Sequence, residues 1–283
     1  MRIIEEARIT DAVEKLCIEA NICIGHDIKE ALIKAKTCES LPLARSVLDT
    51  LSENAEIAQR EKLPVCQDTG MTVVFVSLGT KVHINGNIND AINEGVRRGY
   101  KNGYFRNSVV GDPITRKNTG DNTPAVIHYD FAEGDSIKIT VMPKGFGSEN
   151  MSAVKMLSPS DGLSGAESFI IETVLKAGAN PCPPIIVGVG IGGTMEKAAL
   201  LSKQALLRDV GSVNSEPFWA EFEARLLEKI NALGIGPAGY GGITTALAAH
   251  VLTYPTHIAG LPVAVNIGCH ATRHKTKQLT IDN

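Results

Sequence analysis

The chain has 283 residues, 43% of them apolar, with 28 basic against 31 acidic side chains and a formal net charge of −3. That length and apolar content suffice for one large or two modest domains with a substantial core. The slight negative charge, without any basic block, argues against nucleic acid or an anionic membrane surface as the main partner. Apolar runs such as "PPIIVGVGIGG" fall far short of the roughly 18 residues a membrane-spanning helix needs.

The N-terminus, "MRIIEEARITDAVEKL", alternates charged with apolar residues, the pattern of an amphipathic helix and not of a secretion signal, so the expected location is the cytoplasm. Helical spacing continues through "EEARITDAVEKLCIEA", "DIKEALIKAKT" and "LARSVLDTLSENAEIAQREK". "MTVVFVSLG" then reads as a buried strand and "NINDAINEGVRRGYKNG" as a helix capped by Asn89. "PAVIHYDF" and "DSIKITVMP" alternate as a pair of half-buried antiparallel strands joined by an "AEGD" hairpin turn. "SGAESFIIETVLKAGAN" is a helix ending at Gly178, and "PPIIVGVG" is a fully apolar strand. "TMEKAALLSKQALLR" and "EPFWAEFEARLLEKINALG" are helices, followed by glycine-rich "GIGPAGYGGITT" and the last segment "YPTHIAGLPVAVNIGCHATRHK". No repeat or linker interrupts this order. The expectation is a single mixed α/β domain over 1–283, with a helical N-terminal part (1–61) followed by a mixed sheet packed with helices (62–283).

Gly188, Gly190 and Gly193 match the G-x-G-x-x-G of dinucleotide sites between a strand and a helix. The acidic strand end such a site needs about 20 residues later is missing, because the helix runs directly to Arg208-Asp209. The glycines are better explained by backbone passing close to something bulky. Of the six cysteines, Cys17, Cys23 and Cys38 read as small hydrophobes. Cys66, Cys182 and Cys269 differ: each lies in a Pro- or Gly-rich turn beside a strand-like run. They are too far apart in sequence for a zinc knuckle or a C-x-x-C site, and three unrelated buried thiols remain one reading of them. The other is three thiolates on one iron–sulfur cube, leaving an iron open as a Lewis acid. Arg106 in "GYFRNSVVGD", His257 in "YPTHIAG" and the polar loops "RKNTGDNTP" and "PKGFGSENMS" could together suit a small dicarboxylate, although each taken singly is an ordinary loop feature.

The ordered set "VCQDTG", "NTGDNTP", "PKGFGSENMS", "NPCPPIIVGVGIGGTMEKAALLSKQALLR", "GIGPAGYGGITT", "YPTHIAGLPVAV" and "GCHATRH" resembles the α subunit of the iron–sulfur (class I) fumarate hydratases and their tartrate dehydratase relatives. The resemblance implies that Cys66, Cys182 and Cys269 hold a [4Fe-4S] cluster whose fourth iron takes the substrate. It implies substrate contacts from Gln67, Asp68, Arg106, His257 and the Gly145–Gly147 backbone. In that picture Arg106 and His257 clamp carboxylates and stabilise developing charge, and Asp68 assists proton transfer. "PKGFGSENMS" and "YPTHIAGLPVAV" look like the fumarase branch, so reversible hydration of fumarate to (S)-malate, a tricarboxylic acid cycle reaction, is the expected activity, sensitive to air. L-tartrate dehydratase is the alternative. An NAD(P)-binding dehydrogenase and a non-catalytic interaction protein represent other classes. Single-chain relatives continue into a second domain, whereas this chain stops 14 residues after Cys269. The implied partner is therefore a β subunit that supplies the remaining substrate contacts and the general base, in a hetero-oligomer of the α2β2 kind.

Overall fold

In the computed structural model, residues 2–280 are described. In chain order they form β1 (Arg2–Glu5), α1 (Glu6–Ile22), α2 (His26–Cys38), α3 (Pro42–Glu61), β2 (Met71–Gly79) and β3 (Val82–Asn85). Next come α4 (Ile88–Asn102), β4 (Val126–Ala132), β5 (Ser136–Lys144), α5 (Phe146–Glu149), β6 (Ala153–Leu157) and α6 (Gly162–Ala177). The chain continues with β7 (Ile185–Gly192), α7 (Met195–Ala205), α8 (Pro217–Asn231), β8 (Ala246–Tyr254), β9 (Leu261–Gly268) and β10 (Lys275–Thr280). The fold is mixed α/β, as expected. It divides into two compact units: the described parts of Met1–Ile24, Ala55–Phe146 and Arg273–Asn283 form the first, and Gly25–Asn54 with Gly147–Thr272 the second. Among the described residues no helix is long and apolar enough to cross a membrane.

In the first unit the sheet order is β10-β5-β2-β4. Here the expected β4–β5 hairpin is corrected: the two strands are neighbours in sequence, but β2 lies between them. β2 pairs with β4 in parallel and with β5 antiparallel. The physical reason is burial. β2 carries the apolar run Thr72–Val76, which needs partners on both sides, while β4 is mostly exposed and suits an edge. The helix cap is also corrected by two positions, since the side chain of Asn87 accepts the amide of Asn89 at 3.0 Å. Residues 2–5, expected to be helical, instead pair in parallel with β3. α4 packs against α1 through Gly95 and Gly99, four residues apart on one face. A Cβ at Gly95 would lie 2.7 Å from the Thr10 carbonyl oxygen, and one at Gly99 would lie 2.7 Å from the Cβ of Cys17.

In the second unit the order is β6-β9-β7-β8. β7 is buried at every position because helices cover both of its faces. Ile185, Val187, Val189 and Ile191 join Ile170 and Val174 of α6 and Phe222, Leu226 and Ile230 of α8 in one core. The opposite face meets α7. A Cβ at Gly188 would lie 2.2 Å from the Ser202 carbonyl oxygen, and one at Gly190 would lie 2.1 Å from that of Ala198. The glycine motif is thus the seat of α7. β8 is one of the two edge strands, and side chains take up its exposed backbone groups and those of the residue before it. Glu223 accepts the amide of Val251 (2.7 Å), Asn214 donates to its carbonyl (3.0 Å), and Asn231 accepts the amides of Thr245 and Ala246 (both 2.8 Å).

Candidate functional site

In the first unit, the register Met71↔Lys144 places the turn before β2 and the loop after β5 at the same end of the sheet. Cys66, Gln67, Asp68 and Gly145 therefore share that end. The Asp68 carboxylate accepts the amide of Gly70 at 3.0 Å through Oδ1 and that of Phe146 at 2.9 Å through Oδ2. Gly145 lies so close that a Cβ there would be 3.0 Å from Oδ2. Gly70 has φ +74°, and a Cβ on it would stand 2.7 Å from the Lys144 backbone, so this turn requires glycine. Arg106 comes to the same place: the Thr69 hydroxyl donates to its carbonyl at 2.9 Å. The Arg106 and Gln67 side chains are exposed, while Cys66 and Asp68 are half-buried.

In the second unit, β7 and β9 run antiparallel with Ile186 opposite Gly268. Cys182, three residues before β7, and Cys269, directly after β9, thus fall at one sheet end. The following residue, His270, turns toward the Cys182 carbonyl with both its amide (3.3 Å) and its Nδ1 (3.0 Å). The Cys269 carbonyl in turn accepts the Thr272 hydroxyl at 2.7 Å. The glycine loop belongs here as well. A Cβ on Gly147 would meet the Asn180 carbonyl oxygen at 3.7 Å, and Ser152 accepts the amide of Ile267 at 3.1 Å. Cys182 is exposed, with φ 55°, and Cys269 is half-buried.

His257 is not part of this cluster. It lies in the loop between β8 and β9, next to Thr256, whose hydroxyl donates to the Gly193 carbonyl beyond the far end of β7. The seven residue steps of β9 separate it from Cys269 by roughly 23 Å. Its Nδ1 accepts the amide of Ala259 at 3.1 Å. The sequence distance of 12 residues hides this separation, because those residues are spent on an extended strand.

The cysteines divide by environment. Cys17 is fully buried, and burial, reinforced by nearby Glu14, pushes its thiol well above the usual range, which makes it a poor ligand. Cys66, Cys182 and Cys269 stand in turns with their side chains at least partly exposed. Among the described residues no three His, Cys, Asp or Glu side chains are grouped as ligands of a single metal ion. Accessible cysteine thiols in turns are the donor type an iron–sulfur cube takes, and a cubane spaces its sulfurs more widely than a single ion does. Side chains that sequence reading passed over hold the backbone of the turn after Cys66: Asn122, Tyr100 and Arg273. The first and last lie inside the quoted segments "NTGDNTP" and "GCHATRH", whereas Tyr100 sits in a helix with no local signal.

A family model described as fumarate hydratase (Fumerase) matches residues 10–278. The chain belongs to this family. Among its relatives, the "Putative L(+)-tartrate dehydratase subunit alpha" of Methanocaldococcus jannaschii is 42% identical over 282 residues, covering 97% of this chain and 99% of that one. The L(+)-tartrate dehydratase subunit alpha of Escherichia coli K12 is 31% identical over 283 residues, covering 98% and 93%. That of Escherichia coli O157:H7 is 32% identical, with the same coverage. Membership in the fumarate hydratase family makes this a hydro-lyase chain, and the relatives' names lean toward tartrate where the sequence reading expects fumarate.

Proposed function

We propose that this chain is the α subunit of a cytoplasmic hydro-lyase for four-carbon dicarboxylates, with L-tartrate dehydration as the favoured activity. The observation that carries the substrate choice is 42% identity, over nearly the whole of both chains, to a relative named for tartrate. A second reading, fumarate hydration, draws on the description of the family model and on the fumarase-like "PKGFGSENMS".

In this reading Cys66, Cys182 and Cys269 hold a [4Fe-4S] cluster. When bound, the cluster supplies an open iron that withdraws electrons from the departing hydroxyl. The chain's own groups do the rest. The Arg106 guanidinium is exposed and suited to bidentate pairing with a substrate carboxylate. Gln67 offers its amide to the substrate hydroxyls, and the Gly147 backbone lets the substrate approach without a Cβ in the way. Asp68 already binds two amides, so its first role is to hold the Gly145 loop at the cysteine turn, with its remaining lone pairs available to a substrate hydroxyl. The constellation omits His257, on account of the length of β9. Loss of a proton from one carbon and of hydroxide from its neighbour turns tartrate into the enol of oxaloacetate, and the base comes from the partner β subunit that the relatives' designation as α subunits implies. Both units act together as one catalytic domain in this proposal.

The test is anaerobic purification with the partner subunit, followed by assays on L-tartrate, fumarate and (S)-malate. A higher kcat/KM for L-tartrate is expected. A tenfold preference for fumarate replaces the first reading by the second, and turnover of none of the three ends the hydro-lyase reading.

A further inference from the structure

Three successive carbonyls of the cysteine turn, those of residues 68–70, are held from below by buried side chains of the first unit. Arg273 Nη2 donates to the Asp68 carbonyl at 2.6 Å. The Tyr100 hydroxyl points at the Thr69 carbonyl (2.5 Å) and the Gly70 carbonyl (3.2 Å). Asn122 Nδ2 donates to the Gly70 carbonyl at 3.1 Å. Arg273 is 3% exposed, Tyr100 1% and Asn122 0%, so none of them is on a surface that a substrate reaches.

Asn122 does more than support the turn. Its Oδ1 accepts the amides of Ser108 at 2.7 Å and Val109 at 3.3 Å, which belong to the loop that carries Arg106. One amide side chain thus clips the turn bearing Cys66, Gln67 and Asp68 to the loop bearing the cation, and the Thr69 hydroxyl repeats the link through the Arg106 carbonyl. The residue sits at φ 60°, a left-handed conformation that asparagine tolerates better than most side chains. Both carboxamide ends are used, and a carboxamide donates from one end and accepts at the other without any change of protonation. A buried amide bonded at both of its ends has a favoured geometry, which fixes the spacing between the two segments.

We propose that Asn122 is a positioning residue that locks the Cys66–Asp68 turn against the Arg106 loop at the distance a four-carbon dicarboxylate spans, with Tyr100 and Arg273 holding the turn from beneath. This rests on the hydro-lyase reading above. Misplacing such groups by about 1 Å costs on the order of 100-fold in rate.

The test uses the full chain with its partner subunit. Asn122→Asp keeps both acceptances and tolerates the backbone conformation, but loses the donor and sets an oxygen against the Gly70 carbonyl. Expected are a cooperative thermal transition at a lowered midpoint, because a buried hydrogen bond is lost, and a kcat/KM lower by about 100-fold. Expected too, in the cluster-free chain, is faster amide exchange confined to residues 66–70 and 106–109. Tyr100→Phe, which keeps the ring packed on Phe105, should show the same pattern more weakly and decides the matter if Asn122→Asp does not fold. Either variant folding with unchanged kcat, KM and exchange in both segments overturns the proposal. An unsubstituted complex that turns over no dicarboxylate overturns the hydro-lyase reading instead, and exchange then judges the clip by itself.

Discussion

The Asp68 carboxylate accepts the amide of Phe146 at 2.9 Å, across 78 residues of sequence, and with its other oxygen the amide of Gly70 at 3.0 Å. A carboxylate held by two amides is an anchor: it fixes the glycine loop to the cysteine turn. Asp68→Asn preserves shape but offers only one accepting oxygen, so one amide loses its partner. We expect a loss of about 1–3 kcal/mol in stability and of about 100-fold in kcat/KM. Denaturant unfolding and steady-state kinetics check the two numbers, and unaltered kinetics would remove Asp68 from the site.

The environments of the cysteines make a second prediction. After anaerobic reconstitution with iron and sulfide, Cys66→Ala, Cys182→Ala and Cys269→Ala should each lose the cluster's iron and visible absorption. Cys23→Ala and Cys38→Ala should retain them, since those residues lie outside both loop clusters. Equal behaviour of all five variants contradicts the ligand assignment.

The glycine motif gives a third. Because a Cβ at Gly188 would sit 2.2 Å from the Ser202 backbone oxygen, Gly188→Ala must displace α7 or bend β7. The expected cost is about 3 kcal/mol in urea unfolding. With α7 filling the space above the glycines, titration with NAD or NADP should show no binding to the unsubstituted chain. A neutral Gly188→Ala would mean that α7 does not rest on the strand.

The fourth concerns pH. His250 is 2% exposed, and burial, followed by the nearby Arg208 cation, lowers its pKa below the ordinary 6.5, against smaller opposing effects from Glu223 and Asp27. The unfolded chain then binds a proton that the folded one resists. Stability from this residue is full above the unfolded value and declines as pH falls from about 6.5 toward the folded pKa. His250→Asn should flatten the dependence of the urea midpoint between pH 7 and 5 relative to the unsubstituted chain. Parallel profiles for the two proteins would show that His250 does not contribute.

Local chemistry made part of this legible. Helical periodicity placed α2, α3, α6, α7 and α8 to within a few residues, and the continuous apolar run of β7 announced a strand covered on both faces. Turn residues marked Cys66, Cys182 and Cys269 as different from Cys17, because Pro and Gly beside a strand end are visible without any partner. β1, β3, β6, β8 and β10 went unread. Each is an edge strand or a short ribbon whose pairing comes from elsewhere in the chain, so the segment by itself is too short or too irregular to announce a strand.

The amino-acid sequence by itself determined the family and the glycines of β7, and it marked three cysteines as lying in turns, since each depends on residue type within a short window. Only the tertiary structure decided that β2 lies between β4 and β5, that His257 stands a strand's length from Cys269, and that Asn122 joins the Arg106 loop to the cysteine turn. Strand order and register are set by which partners bury an apolar run and satisfy its backbone, and those partners lie many tens of residues away.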